Sequence, residues 1–355
     1  MAALVRRGLA RALTTVLAVG VAAGCRSEPD ASRGTAKPVD RPAAGTVTVD
    51  GSSTLLPIAK AFAAAFEKTH PGITVAVTSS TTAAGFNRLC AGEIDIAAAS
   101  RPINTTEMQA CRARSLEFLE LPVAFDSVTV VVNPANTFAR CLTVDELKTM
   151  WQPGAEGRVS RWSDIRRDFP DESLALHGPA STSGTFDYFT LAIVGTQGRS
   201  RSDYTKSDDD EVLVNAIASQ PNAVAYFGYA YYRANQDRWR AVSIDNGAGC
   251  VAPSVDTVKD GSYQPLTRPL FLYASGKALD RPEVLAYARY AASVDRAGDI
   301  EAAGYLPLPP VTSLTIAKHI ESRTTGSIFG GRGAVLGITP DSFADDDRVK
   351  NALVR

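Results

Sequence analysis

The sequence predicts an α/β fold with a largely parallel sheet, arranged as two lobes that the chain joins by two crossings. Three observations predict it. Short β-branched or apolar runs alternate with stretches whose apolar residues recur every three or four positions. Four hydroxyl-rich segments sit between such a run and the helical pattern after it: Gly51-Ser52-Ser53-Thr54, Ser79-Ser80-Thr81-Thr82, Ala99-Ser100-Arg101 and Ser181-Thr182-Ser183-Gly184-Thr185. At 355 residues the chain is long enough to pack two lobes.

Thr46 to Val49 reads as a strand running into Gly51, and Pro57 suits the first turn of the helix that Ile58, Phe62 and Phe66 mark on one face. His70-Pro71-Gly72 stops that helix. Ile73 to Val77 is a second strand, Phe86 and Leu89 mark a short helix, and Asp95 to Ala99 is a third, buried strand. Asn104 with Glu107, and Thr143 with Glu146, have the spacing of capping boxes. Ser127 to Asn133 is a long β-branched run, where the chain leaves the first lobe near Val130. Leu174 to Leu176 is a short strand, and Phe186, Phe189 and Ile193 follow at helical spacing. Val224 to Tyr232 is a strand leading into a helix, its aromatic residues serving core and hinge. The chain returns near Pro265, forms a strand at Leu270 to Tyr273, and a helix from Pro282 to Val294. The expected division is lobe I from 45–130 and 264–310, lobe II from 131–263, and a tail from 311–355 packed on the lobes or partly mobile. A short helix at Ile316 to Ile320 and the glycine-rich stretch Gly326 to Gly333 fall in that tail, and neither is given any chemistry.

A helix start presents unpaired N–H groups and about half a positive charge. Several starts converging with Ser and Thr hydroxyls make an anion site that needs little formal charge. The overall balance fits: Lys+Arg 37 against Asp+Glu 38 leaves a net charge of −1, without the basic footprint of a nucleic-acid binder.

Arg6, Arg7 and Arg11 precede the apolar run Ala12 to Val21 and then Ala22-Ala23-Gly24-Cys25, the layout of an export signal over 1–24. Ala22 to Cys25 is similar to a bacterial lipobox, which makes Cys25 the expected lipidation site; a plain secretory signal cut nearby is the alternative. Residues 25–44 are rich in Pro, Ala, Ser, Gly and charge and read as a flexible tether. The protein is thus expected to be exported and lipid-anchored, on the periplasmic or extracellular face of the cell membrane. Four further cysteines in an exported chain favour disulfides over a metal. Of three connectivities we favour Cys90–Cys111 and Cys141–Cys250, contributing about 3 and about 5 kcal/mol in the chain-entropy model.

Thr48-Val49-Asp50-Gly51-Ser52-Ser53-Thr54, Asp95 to Ile103 with its Ala-Ser-Arg-Pro, and Ser183-Gly184-Thr185-Phe186-Asp187-Tyr188-Phe189 together resemble the phosphate-binding proteins of bacterial Pst-type ABC transporters. Ser200 to Tyr204 and Tyr226 to Tyr232 extend the resemblance, which runs in order from about Gly45 to Pro309. It implies a two-lobe periplasmic-binding-protein (type II, Venus-flytrap) fold with the ligand cleft between lobes. Ser53, Thr54 and Leu55 would give a hydroxyl or N–H from the first helix start, Thr82 a hydroxyl from the second loop, and Ser183, Gly184 and Thr185 donors from the opposite lobe. The implied partners are inorganic phosphate, an ABC permease with its ATPase subunits, and a membrane reached through the lipid anchor; the protein is expected to be monomeric, without cofactor or metal.

The chain also departs from that family. The best-known branch has an aspartate where Arg101 stands, accepting the phosphate proton, and an arginine where Pro179 stands. Positive charge is therefore expected from Arg101, beside Ser100, and from Arg201, because an arginine fork suits a tetrahedral oxyanion. Asp126 is the candidate proton acceptor. Ala83-Ala84 replaces a glycine pair common in this loop. For each charged candidate a surface or structural pairing is the plainer alternative, as it is for His177 and the acidic run Asp208 to Glu211.

A secreted phosphatase or other phosphoryl hydrolase is the rival class, and a phosphate-sensing receptor without transport a second alternative. A phosphatase needs an activated nucleophile or metals. Ser181-Thr182-Ser183 lacks the G-x-S-x-G elbow, and the three histidines form no H-E-x-x-H pattern. The expected protein is a receptor, not an enzyme.

Overall fold

The computed structural model describes residues 44–340 and Phe343. The expected export signal, Cys25, residues 26–43 of the expected tether and the rest of the C-terminal tail lie outside the described residues.

The first lobe begins with β1 (Gly45–Gly51), α1 (Leu56–Thr69), β2 (Ile73–Val77), α2 (Thr82–Ala91), β3 (Ile96–Ala99) and α3 (Thr105–Ala113). A 3-10 turn, Ser53–Leu55, leads into α1, and Pro57 occupies its first turn as the sequence suggests. Ile58, Phe62 and Phe66 are all buried on its inner face. Asp50, buried at the end of β1, accepts Thr78 Oγ1 at 2.9 Å, Ser80 Oγ at 2.8 Å and Arg88 Nη1 at 2.7 Å. That one carboxylate fixes the loop that starts α2. Asn104 and Glu107 form the expected capping box, and Cys90–Cys111 joins α2 to α3.

β4 (Phe118–Val132) is longer than the β-branched run that predicts it. Glu120 and Pro122 break the sequence pattern, yet both are accommodated. Tyr273 donates to Glu120 at 2.6 Å, and Pro122 stands where the pairing shifts register, a position that tolerates a missing N–H. After β4 come β5 (Cys141–Thr143), α4 (Val144–Trp151), β6 (Ala175–Gly178), α5 (Gly184–Phe189), β7 (Thr205–Lys206), α6 (Asp210–Ser219), β8 (Ala223–Gly228) and α7 (Tyr229–Ala234). Then follow β9 (Arg240–Ala241), β10 (Ser243–Asp245), β11 (Cys250–Val251), α8 (Val255–Lys259), β12 (Thr267–Ser275), α9 (Pro282–Ala291), α10 (Ala297–Ala302), β13 (Leu306–Pro307) and α11 (Pro310–Glu321). Thr143 and Glu146 complete the second capping box, at the start of α4.

The main sheet runs β2-β1-β3-β12-β4-β8-β6-β7. It is parallel at both ends, but β12 is antiparallel to β3 and β4, and β4 is antiparallel to β8. This corrects the largely parallel expectation. The two strands that pass between lobes run in opposite directions and pair with each other, so the middle of the sheet must be antiparallel.

Leu119, Leu121, Val123 and Phe125 on β4 pack in one core, whereas Val128, Val130 and Val132 pack in another. On the return, Tyr263 and Leu266 belong to the second core and Leu270 to Ala274 to the first. Both switches fall at the paired residues Asp126–Ser127 and Thr267–Arg268. A small second sheet, β11-β10-β5, went unforeseen because strands of two or three residues carry no periodicity. Cys141–Cys250 ties its outer strands, the second favoured disulfide. No helix among the described residues is long and apolar enough to cross a membrane.

Candidate functional site between the lobes

The four hydroxyl segments do meet. Thr54 Oγ1 and Thr185 Oγ1, from opposite lobes, are 3.0 Å apart and both residues are buried. Ser52 Oγ donates to Ser100 Oγ at 3.0 Å, and Ser100 Oγ lies 3.1 Å from Thr82 Oγ1. Ser100 N–H donates to Thr82 Oγ1 at 3.2 Å. Ser52 precedes the 3-10 turn but makes no side-chain cap, so its hydroxyl is free to reach across to Ser100. Ser53 and Ser183 line one small pocket with Thr82, Pro179 and Asp208.

Gly184, the first residue of α5, lies hard against the hydroxyls of the first lobe. A Cβ there would stand 2.4 Å from Ser100 Oγ and 2.5 Å from Thr82 Oγ1. Only glycine lets the second lobe press its helix start onto the hydroxyls of the first. Two expected N–H donors are already used: Leu55 N–H donates to Ser52 O at 3.0 Å, and Thr185 N–H to Ser183 Oγ at 3.1 Å.

The charges are distributed differently from expectation. Arg101 is buried, gives Nη1 and Nη2 to Glu107 at 2.8 Å each, and gives Nε to Asp187 at 2.6 Å. Nη1 also donates to Pro102 O at 3.1 Å. Burial works against its charge, but Glu107 and Asp187 outweigh that and hold the guanidinium above its ordinary value. Burial in turn raises Asp187 against the pull of Arg101. Arg101 is thus an ion pair between lobes, with its fork committed to carboxylates. Arg201 is farther removed: it binds Asp203 through Nε and Nη2, and Met150 O and Val159 O through Nη1, all in the second lobe. Neither arginine offers its fork to the hydroxyl cluster: Arg101 faces Glu107 and Asp187, and Arg201 faces Asp203.

The charge beside the cluster is Arg268. It is fully buried, holds Asp126 through Nε at 3.2 Å and Nη2 at 2.9 Å, and extends Nη2 to Thr54 Oγ1 at 3.3 Å. Its Nη1 has no hydrogen-bond partner. Asp126 also accepts Tyr229 N–H at 3.2 Å, and burial pushes its carboxyl above the ordinary range despite Arg268.

A family model described as a PBP superfamily domain matches residues 36–295. The chain belongs to the PBP superfamily. Within it, the chain is 41% identical over 291 residues to Protein SphX of Synechocystis, covering 82% of this chain and 86% of that one. It is 33% identical to the phosphate-binding protein PstS of Staphylococcus haemolyticus, covering 84% of this chain and 92% of that one. Among solved structures, it is 40% identical to a possible phosphate binding protein from Planctomyces limnophilus, with a TM-score of 0.59 over 79% of this chain and 99% of that one. The fold is also shared with an ABC-type phosphate transport receptor from Vibrio cholerae, at 21% identity and a TM-score of 0.58, over 74% of this chain and all of that one. In this PBP-superfamily chain the crossing strands β4 and β12 carry the chain between cores.

Of the candidate residues, Ser53, Thr54, Thr82, Ser100, Ser183, Gly184, Thr185 and Asp126 come together. Leu55 contributes its side chain to the first core. Arg101 stands at the edge as a clasp, and Arg201 is elsewhere. Arg268 and Asp187 were missed. The signal for Arg268 was present: Thr267-Arg268-Pro269 places one full charge inside an otherwise apolar strand, where an unpaired cation is costly.

Proposed function

We propose that this PBP-superfamily chain captures inorganic phosphate between its lobes and delivers it to an ABC permease whose ATPase subunits supply the energy. The observation that carries the reading is the contact of Thr54 with Thr185 across the lobes, with Arg268 reaching the same hydroxyl. Relatives bearing the name phosphate-binding protein support it. Each hydroxyl-to-hydroxyl contact in the closed cleft can be exchanged for a bond to an oxyanion, because Ser and Thr donate as readily as they accept.

In this reading Thr54, Ser53, Thr82 and Ser100 serve from the first lobe, and Ser183, Thr185 and the Gly184 N–H from the second. Arg268 supplies the formal charge through Nη1, and Asp126 orients its fork. Charge-assisted bonds to an anion are roughly twice as strong as neutral ones. Asp126 also offers its carboxylate oxygens as acceptors for the hydroxyl of a protonated phosphate, a donor that a fully ionised sulfate lacks. We assign lobe I to 45–127 and 267–310, and lobe II to 128–266, a few residues from the sequence-based division. We further propose export and acylation of Cys25, which would tether the receptor at the membrane face.

Titration calorimetry of the mature chain tests this directly. The expected result is one-to-one phosphate binding with little response to sulfate, and no release of phosphate from a phosphomonoester. Metal-dependent turnover would favour the hydrolase class instead.

A further inference from the structure

The glycine-rich stretch near the C-terminus has no role in the site, yet its contacts reach both lobes. Ile328 N–H donates to Glu120 at 3.1 Å, and the Phe329 ring packs edge-on against Phe271, which anchors the stretch to the first core. Thr105 Oγ1 donates to Gly331 O at 3.0 Å, Asn104 and Arg332 form an isolated antiparallel bridge, and Gly333 N–H donates to Ile103 O at 3.3 Å. One residue later the chain touches the other lobe. Ala334 N–H donates to Gln197 Oε1 at 3.1 Å, and the Ala334 side chain is buried in the second core. Val335 and Ile338 then return to the first.

The glycines are fitted to this path. Gly331 and Gly333 have φ of 81° and 72°, which L side chains rarely adopt. A Cβ at 331 would meet Thr105 Oγ1 at 2.9 Å, and one at 333 would meet Gln197 Oε1 at 2.9 Å.

The same Gln197 side chain lies close enough to Asp187 to favour its charged form. Asp187 accepts Arg101 Nε across the lobes, Arg101 holds Glu107, and Glu107 Oε2 accepts the Asn104 N–H at 2.9 Å. Asn104 is bridged to Arg332, two residues before Ala334. These contacts therefore link lobe I, lobe II and the strap at one edge of the cleft.

We propose that residues 331–334 are a clasp that engages Gln197 in the closed arrangement and slows ligand release. This rests on the reading of the cleft as the ligand site. Contacts made only when the lobes are apposed shift the open–closed equilibrium toward closed, and a ligand bound between lobes then leaves more slowly. Gln197 and Thr105 touch none of the proposed phosphate donors, so both act by positioning.

The test uses Gln197→Ala and Thr105→Ala in the full mature chain. Gln197 is half-buried in a turn, so its truncation leaves both cores intact. Stopped-flow measurement of phosphate dissociation should show an off-rate raised about three- to tenfold in each variant, the range for losing one net hydrogen bond, with the on-rate within about twofold. A second readout needs no ligand: spin labels at the exposed, opposite-lobe positions Lys68→Cys and Lys148→Cys should report a longer mean distance in Gln197→Ala than in the parent. Unchanged off-rates with an unchanged distance overturn the clasp, as does a lowered melting temperature alone, which marks a merely structural strap. If the parent binds no phosphate, the capture reading fails, and the label distance still decides the clasp.

Discussion

Arg268 lies directly opposite Asp126 on the antiparallel pair of crossing strands, and its guanidinium holds that carboxylate at 3.2 and 2.9 Å. The pair sits where both strands change cores, and Arg268 also touches Thr54 at the first helix start. Hinge, charge and hydroxyl cluster therefore share one point in the fold.

Replacing Arg268 should affect stability and binding separately. Arg268→Gln strands a buried carboxylate, a loss of about 3–5 kcal/mol measurable by denaturant unfolding. Arg268→Lys keeps the charge but not the fork, so it should stay folded while phosphate affinity drops about tenfold to a hundredfold by calorimetry. Full affinity in Arg268→Lys would remove the arginine from the ligand shell.

Arg101 should behave as a clasp. Arg101→Met leaves Glu107 and Asp187 unpaired, and we expect about 3–5 kcal/mol of lost stability by the same unfolding measurement. The conservative Arg101→Lys should lose far less phosphate affinity than Arg268→Lys. The reverse order would restore Arg101 to the ligand set.

Gly184→Ala tests the close approach of the lobes. Its added methyl collides with Ser100 and Thr82 across the cleft, so closure is blocked while each core stays packed. Phosphate affinity should fall at least about tenfold, since overpacking costs about 1–3 kcal/mol, with little change in melting temperature. Unchanged affinity would mean that the lobes need not approach this closely.

Acid should weaken the second lobe through Asp203. Arg201 holds this carboxyl down to about 2, from an ordinary value of 3.8. Because the folded value is depressed, the pair's contribution is fully present above 3.8 and is lost as pH falls toward about 2. Asp203→Asn should flatten the slope of stability against pH in that window; identical slopes would refute the coupling.

Much of this was legible in the sequence because local rules and tertiary packing agree. Pro57, the Asn104–Glu107 and Thr143–Glu146 boxes and the Phe62–Phe66 face all specify helices that the structure forms. The hydroxyl clusters at helix starts were readable for the same reason. What stayed hidden depends on long-range pairing. Asp187 lies 86 residues from the Arg101 it neutralises, and Arg268 lies 142 from Asp126, separations that no local pattern encodes. The sequence leaves Arg101 with two readings because an arginine beside a hydroxyl cluster suits an anion and a carboxylate equally well. The antiparallel centre of the sheet was missed because Glu120 and Pro122 disguised the first half of β4.

A crystal structure of the mature chain grown with phosphate tests the central claim most directly. Phosphate oxygens within hydrogen-bond reach of Thr54, Thr185 and Arg268 Nη1, with Arg101 still on Glu107 and Asp187, is the expected result. Phosphate held by Arg101 or Arg201, with Arg268 turned wholly to Asp126, would contradict it.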